Sequence, residues 1–306
     1  MEHRSLGSLS VSVVGIGCNN FGKRLDQAAT SAVVGAAIEA GITLFDTADI
    51  YGETLSEVYL GRALGARRDE VILATKFGMP IDDTHFGARP EYVRSACEDS
   101  LKRLGTDRID LYQLHYPDDT VPIEDTLGAL AELVAAGKVR EIGCSNLSAD
   151  QLRAAAAAAG ANPAFVSIQN QYSLLAREPE RDGVLAACRD LGVGFLPFYP
   201  LANGLLTGKV RPGEAVPENS RLAHMPADRR AHWLSEEMRA KVDALVAFAD
   251  EIEIPLLQLA FSWLLAHREV SSVIAGASSP EQVRANAQAV TDLNVEVIAR
   301  LNELTD

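Results

Sequence analysis

Residues 71–145 read VILATKFGMPIDDTHFGARPEYVRSACEDSLKRLGTDRIDLYQLHYPDDTVPIEDTLGALAELVAAGKVREIGCS. Three short runs rich in branched apolar residues, 71–76, 109–115 and 139–145, alternate with two longer stretches, 91–104 and 123–136. In the longer stretches apolar residues recur every three or four positions, the period of an amphipathic helix; the short runs read as buried strands. Strand, helix, strand, helix, strand in that order predicts a parallel sheet with right-handed crossovers.

The same rhythm continues in both directions. Strands are expected at 13–18, 44–47, 166–169, 194–198 and 272–274, and helices at 26–40, 150–159 and 255–266. Gly41, Gly105, Gly137 and Gly160 each follow a helical pattern and are expected as left-handed helix stops. Ser148 with Asp150 and Gln151 reads as a helix start. Eight strand–helix units favour an α/β fold in which the sheet closes into a (β/α)8 barrel of the TIM type. An open dinucleotide-binding sheet would carry G-x-G-x-x-G after its first strand, and Gly15, Gly17 and Gly22 lack that spacing. The first ten residues suggest a short hairpin, with Gly7-Ser8 as its turn, closing the barrel floor. Helices at 236–251 and 295–304 are extra to the eight units, and the stretch from Pro200 to Ser235, with Pro212, Pro217 and Pro226, reads as a long irregular loop. Without a linker or internal repeat, residues 1–306 are expected to form a single domain.

The bulk composition narrows the function. Of 306 residues 47% are hydrophobic and 23% charged, which suits a large core. Lys and Arg number 28 against 42 Asp and Glu, a formal charge of −14, so nucleic acid is a poor partner. An anionic cofactor would have to be drawn in by a local basic cluster, against the overall field. Cys18, Cys97, Cys144 and Cys188 show neither metal-ligand nor disulfide spacing, and no run of 18 apolar residues suggests a membrane span. With no basic stretch followed by an apolar run at the start, a cytoplasmic location is expected.

In a barrel, chemistry is carried at the C-terminal ends of the strands. Reading those ends gives Asp46, Lys76, His115, Ser145-Asn146, Gln169 and the aromatic pair Phe198-Tyr199, each about one strand–helix unit from the next. Any one of them has an ordinary explanation as a cap, a surface lysine or a core histidine, but convergence on one mouth does not. Tyr51, five residues past Asp46, adds a phenol, and Gly52 lets that loop turn tightly. A free tyrosine is a slow acid near neutrality; an ammonium such as Lys76 favours its phenolate, and Asp46 can hold the lysine charged. A histidine N–H or the phenol can hydrogen-bond a carbonyl oxygen that gathers negative charge.

The blocks FDTADIYGETLSEVYLGRAL, ATKFG, SLKRLGTDRIDLYQLHYPD, GKVREIGCSN, IQNQYSLL, PLANGLLTGK and GASSPEQVRAN, in this order, resemble the aldo-keto reductase superfamily over nearly the whole chain. The likeness is to the bacterial stress-type and sugar-type reductases and to the β subunits of voltage-gated potassium channels. It implies a catalytic tetrad of Asp46, Tyr51, Lys76 and His115, with Tyr51 the general acid, Lys76 and Asp46 tuning it and His115 orienting the carbonyl. It further implies NADP(H) lying across the barrel mouth: Ser145, Asn146 and Gln169 at the nicotinamide carboxamide, Phe198 stacked on the nicotinamide in the segment ending at Leu201, Lys209 and Arg221 at the phosphates, and Gly276, Ser278, Gln282 and Asn286 at the adenosine end. Tyr199 stands where the family commonly has a small serine, so it is either a packing residue or a wall of the pocket. Ala285 stands where Glu is common, and Ser278 is not basic, which leaves use of NAD(H) open as well. Glu57, and Asp107 with Asp110, are read as scaffold.

The expected activity is thus reduction of an aldehyde or ketone, with a small carbonyl compound as partner. The alternative is an NADP(H)-binding regulatory or sensor subunit with slow turnover, which the tetrad does not separate from an enzyme. A metal-dependent hydrolase or isomerase is disfavoured because Asp46, His85 and His115 have no ligand spacing. Specificity is expected from the loops 78–88, 117–121, 173–179 and 200–235, in which His85, Phe86, His224 and Trp233 are either pocket residues or ordinary surface and core residues.

Overall fold

The computed structural model describes residues 1–210 and 220–306. Two short strands, β1 (His3–Leu6) and β2 (Leu9–Ser12), pair antiparallel across a turn in which Gly7 takes φ +59°. Eight parallel strands follow: β3 (Val14–Gly17), β4 (Leu44–Asp46), β5 (Ile72–Phe77), β6 (Ile109–Leu114), β7 (Val139–Ser145), β8 (Ser167–Gln169), β9 (Gly194–Phe195) and β10 (Val273–Gly276). They pair in chain order from β3 to β9, with β10 beside β3. The two edges meet where Phe195 bridges Val270 and the Ile274 N–H donates to the Pro197 carbonyl at 3.3 Å. The sheet is thereby a closed (β/α)8 barrel with an N-terminal hairpin, and each barrel strand is followed by a helix.

Side chains alternate across each strand, so residues two apart share a face. Leu44, Ala74, Leu111, Leu196 and Ile274 fill the interior together with Leu6, Leu9 and Val11 of the hairpin, which plugs the lower end. A Cβ at Gly194 would collide with Leu6, so glycine there is what lets the plug seat. One step further along the same inward faces the apolar layer gives way to Asp46, Lys76 and Gln113. The outer core lies between the strands and the surrounding helices.

Helix punctuation follows the sequence closely. Ser148 and Gln151 form a capping box at the head of Ala149–Ala159. Gly105 ends its helix in the left-handed region, and Gly41 and Gly137 also carry positive φ. Gly160 departs from the expectation: with φ +57° and ψ −114° it occupies a region essentially confined to glycine, and not the left-handed helical one. The strand expected at 194–198 ends at Phe195. Pro197 has no N–H to donate, and Tyr199 turns away with φ +52°. Within the long loop, Ala202–Thr207 forms a short 3-10 segment and Ala227–Trp233 a helix; Pro212 and Pro217 lie outside the described residues. No helix among the described residues is long and apolar enough to cross a membrane.

Candidate active site

At the C-terminal end of the barrel, Lys76 Nζ donates to Asp46 Oδ2 at 2.6 Å and to the Thr47 carbonyl at 3.0 Å. Both side chains are buried, Lys76 completely. The other Asp46 oxygen accepts from the amides of Gln113 and Gln169, each at 3.0 Å. The aspartate is therefore fixed by three donors from β5, β6 and β8. Burial pulls the lysine ammonium down, but Asp46 and Tyr51 outweigh it and hold its pKa above the ordinary value.

Tyr51 lies over this pair, with Lys76 Nζ 5.3 Å from its ring centroid. Gly52, at φ +59°, provides the turn that aims the ring inward, and a Cβ there would lie 2.5 Å from the Phe21 carbonyl oxygen. Lys76 draws the phenol pKa down, as expected, yet burial is the larger effect and pushes it up to about 12. Lys76 thus offsets part of a desolvation effect and does not make Tyr51 a strong acid by itself. The His115 ring meets Tyr51 edge-on at 5.8 Å. Burial, with help from Lys76, pushes the imidazole down to about 3, so it is neutral at physiological pH. A neutral imidazole keeps one N–H to donate and one nitrogen to accept.

A cleft of about 920 Å³ opens above this group, within the range of small-molecule and cofactor sites. Tyr51, Asp46 and His115 line its inner end, while Lys76 lies beneath it. Ser145, Asn146, Gln169, Phe198 and Leu201 also line it, as do Lys209, Arg221, Gly276, Ser278, Gln282 and Asn286. All eleven positions expected at a cofactor thus face one continuous space. Their local bonding is specific. Ser145 Oγ donates to the Gln169 carbonyl at 2.6 Å, and Asn146, at φ +60°, reaches back to the His115 carbonyl at 3.0 Å. The Ser278 N–H and hydroxyl both donate to Gln282 Oε1, at 2.9 and 3.1 Å, ahead of the helix Pro280–Ala287.

The electrostatics of the cleft oppose those of the chain. Arg24, Lys209, Arg221 and Arg229 line it, and Asp46, paired with Lys76, is the sole lining carboxylate among the described residues. Asn203, at φ +58°, also lines it, and its buried Oδ1 lacks a hydrogen-bond partner among the described residues. Cationic side chains and polar groups such as Ser278, Gln282 and Asn286 along one cleft suit an anionic, hydroxyl-rich ligand such as a dinucleotide.

Sequence reasoning missed Gln113 and Asn203. Gln113 had a readable signal, a polar residue on an apolar strand and on the same face as His115; Asn203 is marked only by its surroundings. Tyr199 proves to line the cleft. His224 and Trp233 line an adjoining groove, whereas His85 pairs with Asp82 on an exposed loop and, like Phe86, lines neither space. No group of His, Cys, Asp and Glu among the described residues could hold a metal, and the four cysteines are buried and free.

A model of the aldo/keto reductase family matches residues 13–306. A Glycine max protein named "Probable aldo-keto reductase 1" is 35% identical over 288 residues, 92% of this chain and 81% of that protein. The holo form of an aldo-keto reductase from Bacillus halodurans superposes with a TM-score of 0.81 at 33% identity, covering 100% of this chain and 97% of the other.

Proposed function

This chain belongs to the aldo/keto reductase family, and from that premise we propose that it reduces an aldehyde or ketone to the alcohol with NADP(H), using Tyr51 as general acid. The observation that carries the proposal is the buried Lys76–Asp46 pair, at 2.6 Å, set beneath Tyr51 and beside a neutral His115.

When bound, the nicotinamide supplies the hydride. The chain's own residues handle the proton and the developing charge. Tyr51 donates its phenolic proton to the carbonyl oxygen, and the Lys76 ammonium stabilises the phenolate that remains. Asp46 keeps Lys76 charged and in place; Gln113 and Gln169 keep Asp46 in place. Neutral His115 donates a hydrogen bond to the carbonyl oxygen as it gains charge. Ser145 and Asn146 would hold the carboxamide, Phe198 would cover one face of the nicotinamide, and Leu201 would pack beside it. Lys209 and Arg221 would hold the phosphates, with Gly276, Ser278, Gln282 and Asn286 at the adenosine end. The basic lining of the cleft supports an anionic cofactor in a chain whose net charge is −14.

The test is a fluorescence titration with NADPH and NADH, followed by absorbance decay with small aldehydes at saturating cofactor. Tyr51→Phe is expected to lower carbonyl reduction by about 10²–10⁴-fold while cofactor affinity stays within about twofold. Unchanged turnover in Tyr51→Phe would remove Tyr51 from its role, and binding without decay on any aldehyde would favour a regulatory subunit.

A further inference from the structure

Tyr199 combines features that packing alone does not call for. Its backbone lies at φ +52°, a region that bulky side chains rarely enter. The residue is 36% exposed and lines the cleft. One neighbour is the edge of Phe198, at 5.2 Å and 86°. The other is Arg221, whose guanidinium carbon stands 4.8 Å from the ring centroid. Among the described residues no carboxylate pairs with Arg221, although the chain is rich in acids. Its backbone is anchored nearby: Leu222 is buried in the core, and the Ser220 carbonyl bonds His224.

A guanidinium held over an aromatic ring by cation–π attraction is not spent on a carboxylate partner. Arg221 can therefore be held by the Tyr199 ring and still present its donors to a ligand in the cleft. Fixing a long side chain beforehand also removes part of the entropy lost on binding. Neither benefit would come from a serine at position 199.

We propose that Tyr199 is a cofactor-positioning residue, which holds Arg221 at the cleft by a cation–π contact so that its donors are ready for an anionic group of the dinucleotide. The assignment rests on the NADP(H) function proposed above. Its signature is a separation of stability from affinity. Glycine adopts a positive φ freely, so Tyr199→Gly relieves the backbone while removing the ring.

The experiment measures the dissociation constant for NADPH by fluorescence, and the melting temperature without cofactor, in wild type, Tyr199→Phe, Tyr199→Gly, Arg221→Met and the Tyr199→Gly/Arg221→Met double variant. The expected result is a dissociation constant raised about 3- to 10-fold in Tyr199→Gly, as for loss of a partly desolvated cation–π contact. Tyr199→Phe stays within about twofold of wild type, the melting temperature of Tyr199→Gly is equal or higher, and Tyr199→Gly adds nothing further once Arg221 is Met. Equal affinity in wild type and Tyr199→Gly overturns the positioning role alone, as does an undiminished effect of Tyr199→Gly in the Arg221→Met background. A melting temperature lowered by several degrees in Tyr199→Gly makes Tyr199 a structural residue and also overturns it. Failure of the wild type to bind NADPH overturns the cofactor function, and this assignment with it.

Discussion

Two buried groups near Tyr51 titrate in opposite senses. Asp49 is fully buried, and neither carboxylate oxygen has a hydrogen-bond partner among the described residues. Burial, and then the neighbouring Glu57, push its pKa up to about 7; Arg103 and Lys76 pull against them. The hydroxyls of Tyr92 and Tyr112 belong to the same electrostatic cluster. Between about pH 4 and 7 the folded chain thus keeps a proton that the unfolded chain has released. Stability from this site is full at low pH and lost as pH rises through 7, at up to about 1.4 kcal/mol per pH unit. His115 does the reverse: its folded pKa is depressed to about 3, so stability from it is present above about 6.5 and lost as pH falls. The two slopes oppose each other in mild acid, and a wild-type profile alone would hide both. Asp49→Asn mimics the protonated carboxyl. Its stability relative to wild type, from urea denaturation, is expected to rise by on the order of 2–3 kcal/mol between pH 5 and pH 8. A difference that stays flat across that range would show that Asp49 titrates normally. Because His115 is already neutral, the rate profile of carbonyl reduction is not expected to show its protonation between pH 5 and 8.

Among the elements, the helices Leu55–Leu64 and Pro90–Leu104 are tied to β5 through Glu57. Its carboxylate accepts from Thr75 Oγ1 at 2.6 Å and from Arg103 Nε at 2.6 Å, and it is wholly buried, whereas the Arg103 side chain is 20% exposed. This asymmetry predicts unequal effects. Arg103→Met leaves a buried carboxylate without its cation and is expected to lower stability by about 3 kcal/mol or more. Glu57→Gln keeps an acceptor for Thr75 and leaves a guanidinium that water can reach, so its effect should be about half as large. Equal losses in urea denaturation would mean that burial of the acid is not what sets the energy. Most elements were legible because their signals are local: apolar period, a capping box over 148–151, glycine after the helix. Asp46, Lys76 and His115 were legible for the same reason, as polar residues ending apolar strands. Gln113 needed only the period of two to be grouped with His115. Asp49 and Asn203 were not legible, because what marks them is the lack of a partner, and a sequence does not record who fails to bond. The early end of β9 follows from Pro197 but also from the positive φ of Tyr199, which is tied to its tertiary surroundings.

The barrel as a whole is unevenly closed. Strands β5, β6 and β7 are six or seven residues long and pair along most of their length. Strand β9 has two residues, and its side of the seam is held to the β10 side by one bridge and a few backbone bonds, among them Ser271 N–H to the Phe195 carbonyl at 3.0 Å. The cleft runs over this seam, lined by Phe198, Tyr199 and Leu201 on one side and by Ile274, Ala275 and Gly276 on the other. Regions with few backbone bonds open first, so the seam is where local unfolding should concentrate. A dinucleotide that touches both sides adds its binding energy to the closed form alone. At about 100 times its dissociation constant this contributes about 2.7 kcal/mol, or a melting temperature higher by about 4 °C for a chain of this size. Hydrogen exchange with and without NADPH is expected to show the gain in protection concentrated in 194–210 and 269–286, with 71–77 and 109–114 little changed because they are already well paired. Protection spread evenly over all eight strands, or confined to 44–52, would mean that the ligand does not bridge the seam and that closure of the barrel is independent of the cofactor.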